Sequence, residues 1–494
     1  MSLSLQQIRQ HYQAKGNLPD LPEQHFINGQ WSPSDSGEYL DCQDPCTGQR
    51  FARIAAGNSQ DVEMAVAAAN QALTGWKQTA PAQRAEILQH AANLLEQHSD
   101  FIASVEALDV GKPLHEAQSD VASSVRALRY YAGACDKLQG DSFPLGADNM
   151  SFSMLEAVGV TAHIIPWNFP LSTTIRGVAP ALAAGCTAVV KPAETTSLSA
   201  LLLADLFRQA SLPAGVYNVV TGLGKNVGAP LVAHPDIHHV TFTGSVATGS
   251  QVMQAAAVNV NSVTMELGGK SPLVVMADAD LDEAAEGVVW AIFYNAGQIC
   301  SAGSRLVVDE AVHKPLLDKV LAKVAELRID HSLNSPDFGA INSAIQLEKI
   351  SGFVERAKAR GVSLLCGGEA LTLNGAGWFY APTIFDRVDS DDELVQEEIF
   401  GPVLSVQVVD GIDQAISAAN CTDFALAAGI YTSNVQHALR FARDVDAGQI
   451  TVNDYWAGGI EVPFGGNKSS GFGREKGLEA LRNYCRTKAV TFKV

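Results

Sequence analysis

Three short segments of the chain carry side chains that suit covalent catalysis. Cys300 stands just past a predicted helix among glycine and small residues, where a thiol is accessible enough to act as a nucleophile. Asn168 lies in the proline-bracketed turn 166–170, which would hold its amide rigidly as a donor to an oxyanion. Glu266 precedes Leu267 and two glycines, so its carboxylate can reach into a site without crowding it.

Each of these residues also has an ordinary structural explanation when it is taken alone. Asn168 would cap a turn, Glu266 would be a surface acid, and Cys300 would be a buried thiol. The three segments therefore have to be judged together, with the elements that would position them.

Those elements form two successive patterns along the chain. From residue 158 onward, short apolar runs alternate with segments of helical spacing, and a second alternation begins at residue 273. Such alternation predicts two α/β domains in series, each with a parallel sheet that binds ligands at the carboxyl ends of its strands. The predicted strands are 158–165, 187–190, 216–220, 239–243, 262–265, 273–276 and 304–308. The predicted helices are 171–184, 197–210, 226–233, 246–257, 282–294, 314–327 and 344–360.

The first third of the chain is predicted to have a structural role. Apolar residues at helical spacing predict helices over 56–76, 82–108 and 121–138. The region 142–157 is expected to be extended, with glycine-containing turns. Neither an internal repeat nor a disordered linker is evident in the sequence.

One glycine-containing loop is placed to bind a phosphate. Gly244 directly follows the predicted strand 239–243 and allows a tight turn, Ser245 can cap the next helix, and Gly249 closes the segment. The helix N-terminus would then offer N–H groups to a pyrophosphate. A glycine-turned helix start without a ligand explains the segment equally well. The loop 222–228 is one residue longer than a dinucleotide fingerprint and is interpreted as an ordinary turn.

Charge and cysteine usage exclude several classes of protein. The chain has 494 residues with 34 basic and 53 acidic side chains, and its net charge of −19 repels nucleic acid and anionic membranes. Eight cysteines are scattered without a C-x-x-C pair, which argues against a disulfide framework or a metal site. The start of the chain has no signal-peptide pattern, and the apolar stretch 177–190 is too short to span a bilayer. We expect a soluble, cytoplasmic protein.

Seven motifs match one known family in order and rough spacing. They are Pro-Trp-Asn-Phe-Pro at 166–170, Lys-Pro-Ala-Glu at 191–194, the Gly-Ser loop at 244–245, Met-Glu-Leu-Gly-Gly-Lys at 265–270, Gly-Gln-Ile-Cys at 297–300, Glu-Glu-Ile-Phe-Gly-Pro at 397–402, and Pro-Phe-Gly-Gly at 463–466 running on to Gly-Arg-Glu at 473–475. On these residues the chain resembles the NAD(P)-dependent aldehyde dehydrogenase superfamily from about residue 25 to the C-terminus.

The resemblance implies an α/β fold with three parts. A Rossmann-like cofactor-binding domain would comprise 1–135 and 157–265, and an α/β catalytic domain would comprise 266–465. Residues 136–156 and 478–494 would form oligomerisation elements, a protruding hairpin and a C-terminal strand that pair with a neighbouring subunit. We therefore expect a homodimer or a homotetramer, with a small-molecule aldehyde as substrate and no nucleic-acid or membrane partner.

The resemblance also implies roles for the three chemical residues. Cys300 would attack the aldehyde, Asn168 and the Cys300 backbone N–H would hold the oxyanion, and Glu266 would activate the water that hydrolyses a thioester. Two alternatives stay open. A relative that acylates coenzyme A generally lacks the base at Glu266, and a non-catalytic relative would not need the complete set.

The same resemblance points to NAD as the cofactor rather than NADP. Lys191 and Glu194 would hold the adenosine ribose, where a carboxylate repels a 2′-phosphate. Glu398 and Phe400 would hold the nicotinamide ribose and ring, and Ser245 would contact the pyrophosphate. The other expected cofactor-binding residues are Pro166, Trp167, Gly244, Gly249 and Leu267.

The sequence departs from the family at the substrate tunnel. Many members carry Trp-Lys eight and nine positions after the oxyanion asparagine, where this chain has Arg176 and Gly177. That lysine relays protons together with a glutamate at Glu475, so the relay lacks one partner here. Arg176 would bind a substrate carboxylate or an aromatic ring, or else pair with an internal acid. The predicted aromatic lining, which suits an aromatic aldehyde or a semialdehyde, consists of Phe169, Tyr294, Trp456 and Phe464.

Overall fold

Two large, mostly parallel sheets organise residues 3–494, the part of the chain that the computed structural model describes. Ser262–Glu266 is the last parallel strand of the first sheet, and Pro272–Val275 enters the second sheet six residues later. The predicted α/β class with two alternations in series is confirmed. Residues 1 and 2 of the predicted cofactor segment 1–135 lie outside the described range.

The first sheet has eight strands, and its five central ones are parallel. Helices cover both faces, so these strands are short apolar runs without an exposed side. In spatial order the strands are Gln30–Ser32, His25–Ile27, Tyr217–Val219, Thr187–Lys191, Val160–Ile164, His239–Thr243, Ser262–Glu266 and Gly471–Phe472. The helices of this part are Leu5–Lys15, Ser59–Gln78, Pro81–Gln97, Ser99–Val110, Leu114–Ala132, Pro170–Ala184, Leu198–Gln209, Ala229–Ala233, Val246–Ala257 and Gly477–Asn483.

The second sheet has seven strands and is parallel except for its first edge strand. Its own apolar core packs between the strands and the helices that follow them. In spatial order the strands are Ser363–Cys366, Thr383–Asp386, Val403–Val409, Arg305–Asp309, Pro272–Val275, Ala427–Tyr431 and Gln449–Val452. The helices are Leu281–Phe293, His313–Ala325, Ala344–Ala359, Glu393–Gln396, Gly411–Ala419 and Val435–Asp444. Short two-stranded ribbons pair Tyr39–Asp44 with Gln49–Ala55, Ala370–Leu373 with Ala376–Tyr380, and Phe424–Ala425 with Asn467–Lys468.

The helices before residue 135 differ from the prediction. The predicted helix 82–108 is two helices, because His98 leaves helical geometry with φ −105° and ψ 15° and so redirects the chain. The predicted helix 121–138 begins at Leu114 behind Pro113 and ends at Ala132. A proline at the helix start explains the earlier boundary, since its fixed φ suits the beginning of a helix. No helix among residues 3–494 is long and apolar enough to cross a membrane.

A third, small sheet stands apart from the two large ones. The C-terminal strand Cys485–Lys493 pairs antiparallel with Asn149–Ala157 along its whole length, and Ser142–Phe143 pairs on the other side. The C-terminal strand is therefore held by the chain's own hairpin. Apolar side chains of this sheet and its turn remain exposed, namely Phe143, Leu145, Met150, Met154, Phe492 and Val494.

Candidate active site

The carboxyl edge of the first sheet gathers the segments that the sequence singled out. Lys191 and Glu266 are the last residues of two parallel strands, and Gly244 directly follows a third. The turn that contains Asn168 follows the strand Val160–Ile164. The carboxyl ends of parallel strands meet at one edge, so the fold brings these segments to the same side.

The backbone that leads to Cys300 has an uncommon conformation. Asn295, Ala296 and Gly297 have φ values of 47°, 52° and 72°, in the left-handed region that residues other than glycine rarely adopt. Each non-glycine residue there costs on the order of 1–3 kcal/mol, so surrounding contacts must hold the loop. One of them is Glu116, whose buried carboxylate accepts the backbone N–H of Asn295 at 3.0 Å.

Gln298 connects this loop to its neighbours and to the oxyanion candidate. Its side-chain amide donates to the carbonyl of Ala340 at 3.2 Å, and its side-chain oxygen accepts the Asn342 N–H at 2.9 Å. The backbone carbonyl of Gln298 accepts the amide of Asn168 at 2.8 Å, two residues before Cys300. The predicted nucleophile and the predicted oxyanion donor are thus brought together.

Cys300 lines a cavity of about 190 Å³ and is partly exposed. Burial raises the pKa of its thiol to about 12, although the nearby Arg176 guanidinium acts in the opposite direction. The thiol therefore keeps its proton at neutral pH, and forming the thiolate requires a base or a positive charge close to the sulfur.

Glu266 is a buried carboxyl without a hydrogen-bond partner among the described residues. Burial raises its pKa well above the usual range, and the carboxylate of Glu475 raises it further. A β-carbon on Gly465 would lie 2.6 Å from its Oε1, so glycine is needed there to leave room for the carboxyl. A buried acid with a raised pKa and no partner is unfavourable for stability, which is typical of a group that transfers protons.

Gly268 makes room for the Glu398 side chain beside the same strand end, and Gly269 holds it by a hydrogen bond. The backbone N–H of Gly269 donates to Oε1 of Glu398 at 3.0 Å, and a β-carbon on Gly268 would overlap the carboxylate. Phe400 lies edge-on to Trp167, with ring centroids 5.2 Å apart. The residues predicted to hold a nicotinamide nucleoside thus lie next to one another.

The predicted phosphate loop has the geometry of an anion-binding helix start. Ser245 is the N-cap of Val246–Ala257, and its hydroxyl accepts the Thr248 N–H at 3.3 Å. Gly249 packs against Leu267, where a β-carbon would lie 2.5 Å from the leucine side chain. The first turn can therefore approach the strand end closely and present its positive dipole end to a pyrophosphate.

Lys191 and Glu194 form the other half of the predicted cofactor site. The Lys191 amine donates to Glu194 at 2.9 Å, and the Glu194 side chain is 41% exposed while that of Lys191 is 5% exposed. The carboxylate is therefore fixed on one side and open on the other, where it can accept ribose hydroxyls. With the helix start at Ser245 and the open carboxylate of Glu398, these residues fit a dinucleotide.

The predicted aromatic residues surround the cavity at Cys300 with one exception. Phe169, Trp456 and Phe464 line it. Tyr294 is not brought to the wall, because it packs behind Trp456 with ring centroids 6.1 Å apart.

Arg176 lines the same cavity, and the structure contains its internal partner. Its guanidinium forms an ion pair with the buried carboxylate of Glu475 and stacks on the Phe464 ring, 4.8 Å from the centroid. Of the partners that the sequence left open, the internal acid is the one observed.

Two charged residues of the cavity were not predicted from the sequence. Asp120 lies on a helix that was interpreted as scaffold, and its carboxylate accepts a hydrogen bond from the Lys112 amine at 2.6 Å. Lys476 also lines the cavity, one residue after Glu475. The adjacent Gly-Arg-Glu motif could have drawn attention to Lys476, whereas no sequence pattern distinguishes Asp120.

Comparison with known proteins shows which family this chain resembles over most of its length. The model of the aldehyde dehydrogenase family matches residues 31–490. An aldehyde dehydrogenase from Bacillus cereus, solved as its NAD+ complex, is 38% identical, covers 96% of each chain and has a TM-score of 0.94. The indole-3-acetaldehyde dehydrogenase AldA of P. syringae, in complex with NAD+ and IAA, is 37% identical over the whole of both chains with a TM-score of 0.96. The aldehyde dehydrogenase KauB from Pseudomonas aeruginosa is 36% identical over the whole of both chains with a TM-score of 0.97.

Proposed function

The chain belongs to the aldehyde dehydrogenase family, and from this premise we propose that it oxidises an aldehyde to the carboxylic acid through a covalent intermediate on Cys300, with NAD as cofactor. The observation that supports the proposal is that Cys300 lines a cavity, that Asn168 is hydrogen-bonded to the backbone two residues before it, and that Glu266 lies close enough to act on the pKa of its thiol. The family and the likeness to NAD+ complexes make the protein an NAD-dependent aldehyde dehydrogenase.

The first step is addition to the carbonyl. Glu266, once ionised, takes the thiol proton of Cys300; the sulfur then bonds to the aldehyde carbon, and the electron pair of the carbonyl π bond moves onto the oxygen, which becomes an oxyanion. The Asn168 amide, fixed by its hydrogen bond to Gln298, and the Cys300 backbone N–H are the donors that stabilise it. Loss of one preorganised donor of this kind costs roughly 100- to 1000-fold in rate.

Bound NAD+ would supply the oxidising chemistry by accepting a hydride, after which Cys300 would carry the acyl group as a thioester. Glu398 and Phe400 would orient the nicotinamide nucleoside, and Lys191 with Glu194 would hold the adenosine ribose. The helix start at Ser245 would hold the pyrophosphate.

Glu266 completes the cycle by hydrolysis. Its raised pKa makes it a strong base once ionised, and it takes a proton from the water that attacks the thioester. A coenzyme A-acylating enzyme is the second candidate, and this buried carboxyl argues against it. NADH formation that proceeds beyond one turnover only when coenzyme A is present would favour that candidate.

A turnover assay with NAD+ and a panel of aldehydes tests the proposal directly. The panel contains aromatic, ω-carboxy and amino aldehydes, because the aromatic cavity with its cations suits an aromatic aldehyde or a semialdehyde. Formation of NADH together with the matching acid supports the proposal. Absence of turnover with every aldehyde would instead favour a non-catalytic relative.

Replacing Glu194 with serine should relax the choice of cofactor. The substitution removes the carboxylate that repels a 2′-phosphate and leaves the Lys191 amine to attract it. We expect the preference for NAD+ over NADP+ to fall by about 1–3 kcal/mol, which is roughly fivefold to 150-fold. The ratio of kcat/KM with NAD+ to kcat/KM with NADP+ measures this preference. Glu310→Ser, which removes a carboxylate from an exposed position, is the control and should leave the ratio unchanged. A wild-type enzyme that already prefers NADP+ contradicts this role of Glu194.

Removing residues 488–494 should disrupt assembly. We propose a cofactor-binding domain that comprises residues 1–135 and 157–265, and a catalytic domain that comprises residues 266–465. The segments 136–156 and 478–494 form the subunit contact of a homodimer or homotetramer. The truncation removes most of the strand that pairs with Asn149–Ala157 and leaves an open strand edge beside exposed apolar side chains. Light scattering should show monomers or aggregates for the variant. A stable, active wild-type monomer contradicts the proposed contact.

A further inference from the structure

Lys476 is a cation in the cavity beside Cys300 for which the described residues provide no ion-pair partner. Its side chain lines the cavity together with Cys300, and its amine lies 5.1 Å from the centroid of the Phe464 ring. Among residues 3–494, no carboxylate lies within ion-pair distance of this amine and no hydrogen bond to it is formed. Among residues 3–494, the direct contact that the amine makes is thus with the face of the Phe464 ring.

The other charged side chains in the cavity wall are already paired. Arg176 pairs with Glu475, and Asp120 pairs with Lys112 at 2.6 Å. These two pairs cancel internally, so among the described side chains that line the cavity Lys476 keeps the unpaired charge. Glu266 lies behind the lining, and its raised pKa keeps it neutral until it acts as the base. An anionic group that enters the cavity therefore meets one uncompensated cation.

The backbone at Lys476 is strained and firmly held. Its φ of 60° and ψ of 175° lie in a region that is nearly exclusive to glycine, at a cost of about 1–3 kcal/mol. Glu475 and Phe464 exchange two backbone hydrogen bonds of 2.7 Å, and the Gly477 N–H donates to Ile460 at 2.7 Å. These contacts on both sides fix the strained conformation and with it the position of the side chain in the cavity wall. Strain of this kind is typical of functional sites.

The environment makes the amine a strong anion binder. Burial, together with the neighbouring Arg176, lowers the pKa of Lys476 to about 8, although Glu475 acts in the opposite direction. The amine is thus charged in most molecules at neutral pH, yet it is poorly solvated. A desolvated ammonium gains more from a carboxylate than an exposed one does, because less water has to be displaced.

We propose that Lys476 binds a carboxylate at the far end of the substrate, which makes the preferred substrates short aldehydes that carry an acid group. This inference rests on the proposed function and names the substrate class of the same site. The aromatic rings of Phe169, Trp456 and Phe464 enclose the part of the substrate between the aldehyde and the acid. A cavity of about 190 Å³ is smaller than the roughly 300–1,000 Å³ of pockets for drug-sized ligands, so the substrate is small.

Matched aldehyde pairs that differ in the acid group test the proposal. One pair is p-formylbenzoate and its methyl ester, and the other is succinate semialdehyde and butanal. The wild-type enzyme should have a lower KM for the acid-bearing member of at least one pair. In Lys476→Gln, the KM for that member should rise by about tenfold to a hundredfold, the scale of a lost charged hydrogen bond, while the neutral member changes less than about twofold.

Three variants separate binding from other roles. Lys476→Arg keeps the charge and should keep the preference for the acid. Lys476→Gly removes the amine and relieves the backbone strain, so it should fold and also lose the preference. Lys314→Gln removes one charge from an exposed helix position and should behave like the wild type. Equal loss of kcat/KM for both members of each pair would mean a structural or proton-transfer role and would overturn the proposal.

Binding of the reaction product gives a measurement that does not depend on turnover. Terephthalate should raise the melting temperature of the wild type more than its monomethyl ester does, and this difference should vanish in Lys476→Gln. Turnover of neutral aldehydes without any preference for acids would refute the role of Lys476 and leave the proposed function intact. If no aldehyde is oxidised but terephthalate still binds through Lys476, the proposed function fails and the anion site stands.

Discussion

Cys300→Ala should abolish aldehyde oxidation while NAD+ still binds nearly as in the wild type. Cysteine supplies both the nucleophile and the thioester leaving group, and no other side chain can replace it without a new mechanism. We expect kcat/KM to fall by at least about a thousandfold, as happens when a covalent nucleophile is removed from an enzyme. Steady-state NADH formation measures the loss, and titration with NAD+ shows that the cofactor site remains.

The matched control for this prediction is Cys366→Ala, since Cys366 is a second partly exposed cysteine and lies on an edge strand of the second sheet, outside the lining of the cavity. It should retain wild-type turnover. Alkylation followed by mass spectrometry should identify Cys300 as the most readily modified cysteine, with a rate that changes when NAD+ is present. Substantial turnover by Cys300→Ala would rule out the covalent mechanism.

Glu266→Gln should separate the formation of the thioester from its hydrolysis. Glutamine has nearly the same shape but cannot accept a proton, so the acyl-enzyme accumulates after the first turnover. We expect a burst of NADH close to one equivalent per site, followed by a steady state that is slower by about 100- to 10,000-fold. Stopped-flow absorbance detects the burst, and mass spectrometry detects the acylated Cys300.

Two further measurements identify Glu266 as the base. An external thiol should partly restore turnover, because it takes the acyl group without a general base. The deacylation rate of the wild type should increase with pH until Glu266, whose pKa is raised by burial and by Glu475, is fully ionised. Glu266→Gln should lose this pH dependence. Normal steady-state turnover of the variant would move the role to another carboxylate, and Glu475 is the next to substitute.

The sequence by itself determined the elements whose signals are local. The strand His239–Thr243 and the helix Val246–Ala257 were predicted with the bounds that the structure has, because an apolar run, a glycine turn and a capping serine stand next to one another in the chain. The family was likewise evident from short motifs, since each motif is a local arrangement of glycines, prolines and reactive side chains. The break at His98 was not predicted, because the apolar pattern continues through it.

Only the tertiary structure decided which ion pairs and hydrogen bonds the charged residues form. Arg176 pairs with Glu475 and Asn295 receives support from Glu116, and both contacts join residues more than a hundred positions apart in the chain. Within residues 3–494, Lys476 finds no carboxylate partner and lies over the Phe464 ring. The left-handed loop before Cys300 was also decided by the tertiary structure. Two of its residues, Asn295 and Ala296, are not glycine, and a hydrogen bond from Asn295 to the distant Glu116 helps to hold the conformation. The physical reason is that propensity and periodicity act within a few residues, whereas burial and ion pairing depend on which segments the fold brings together.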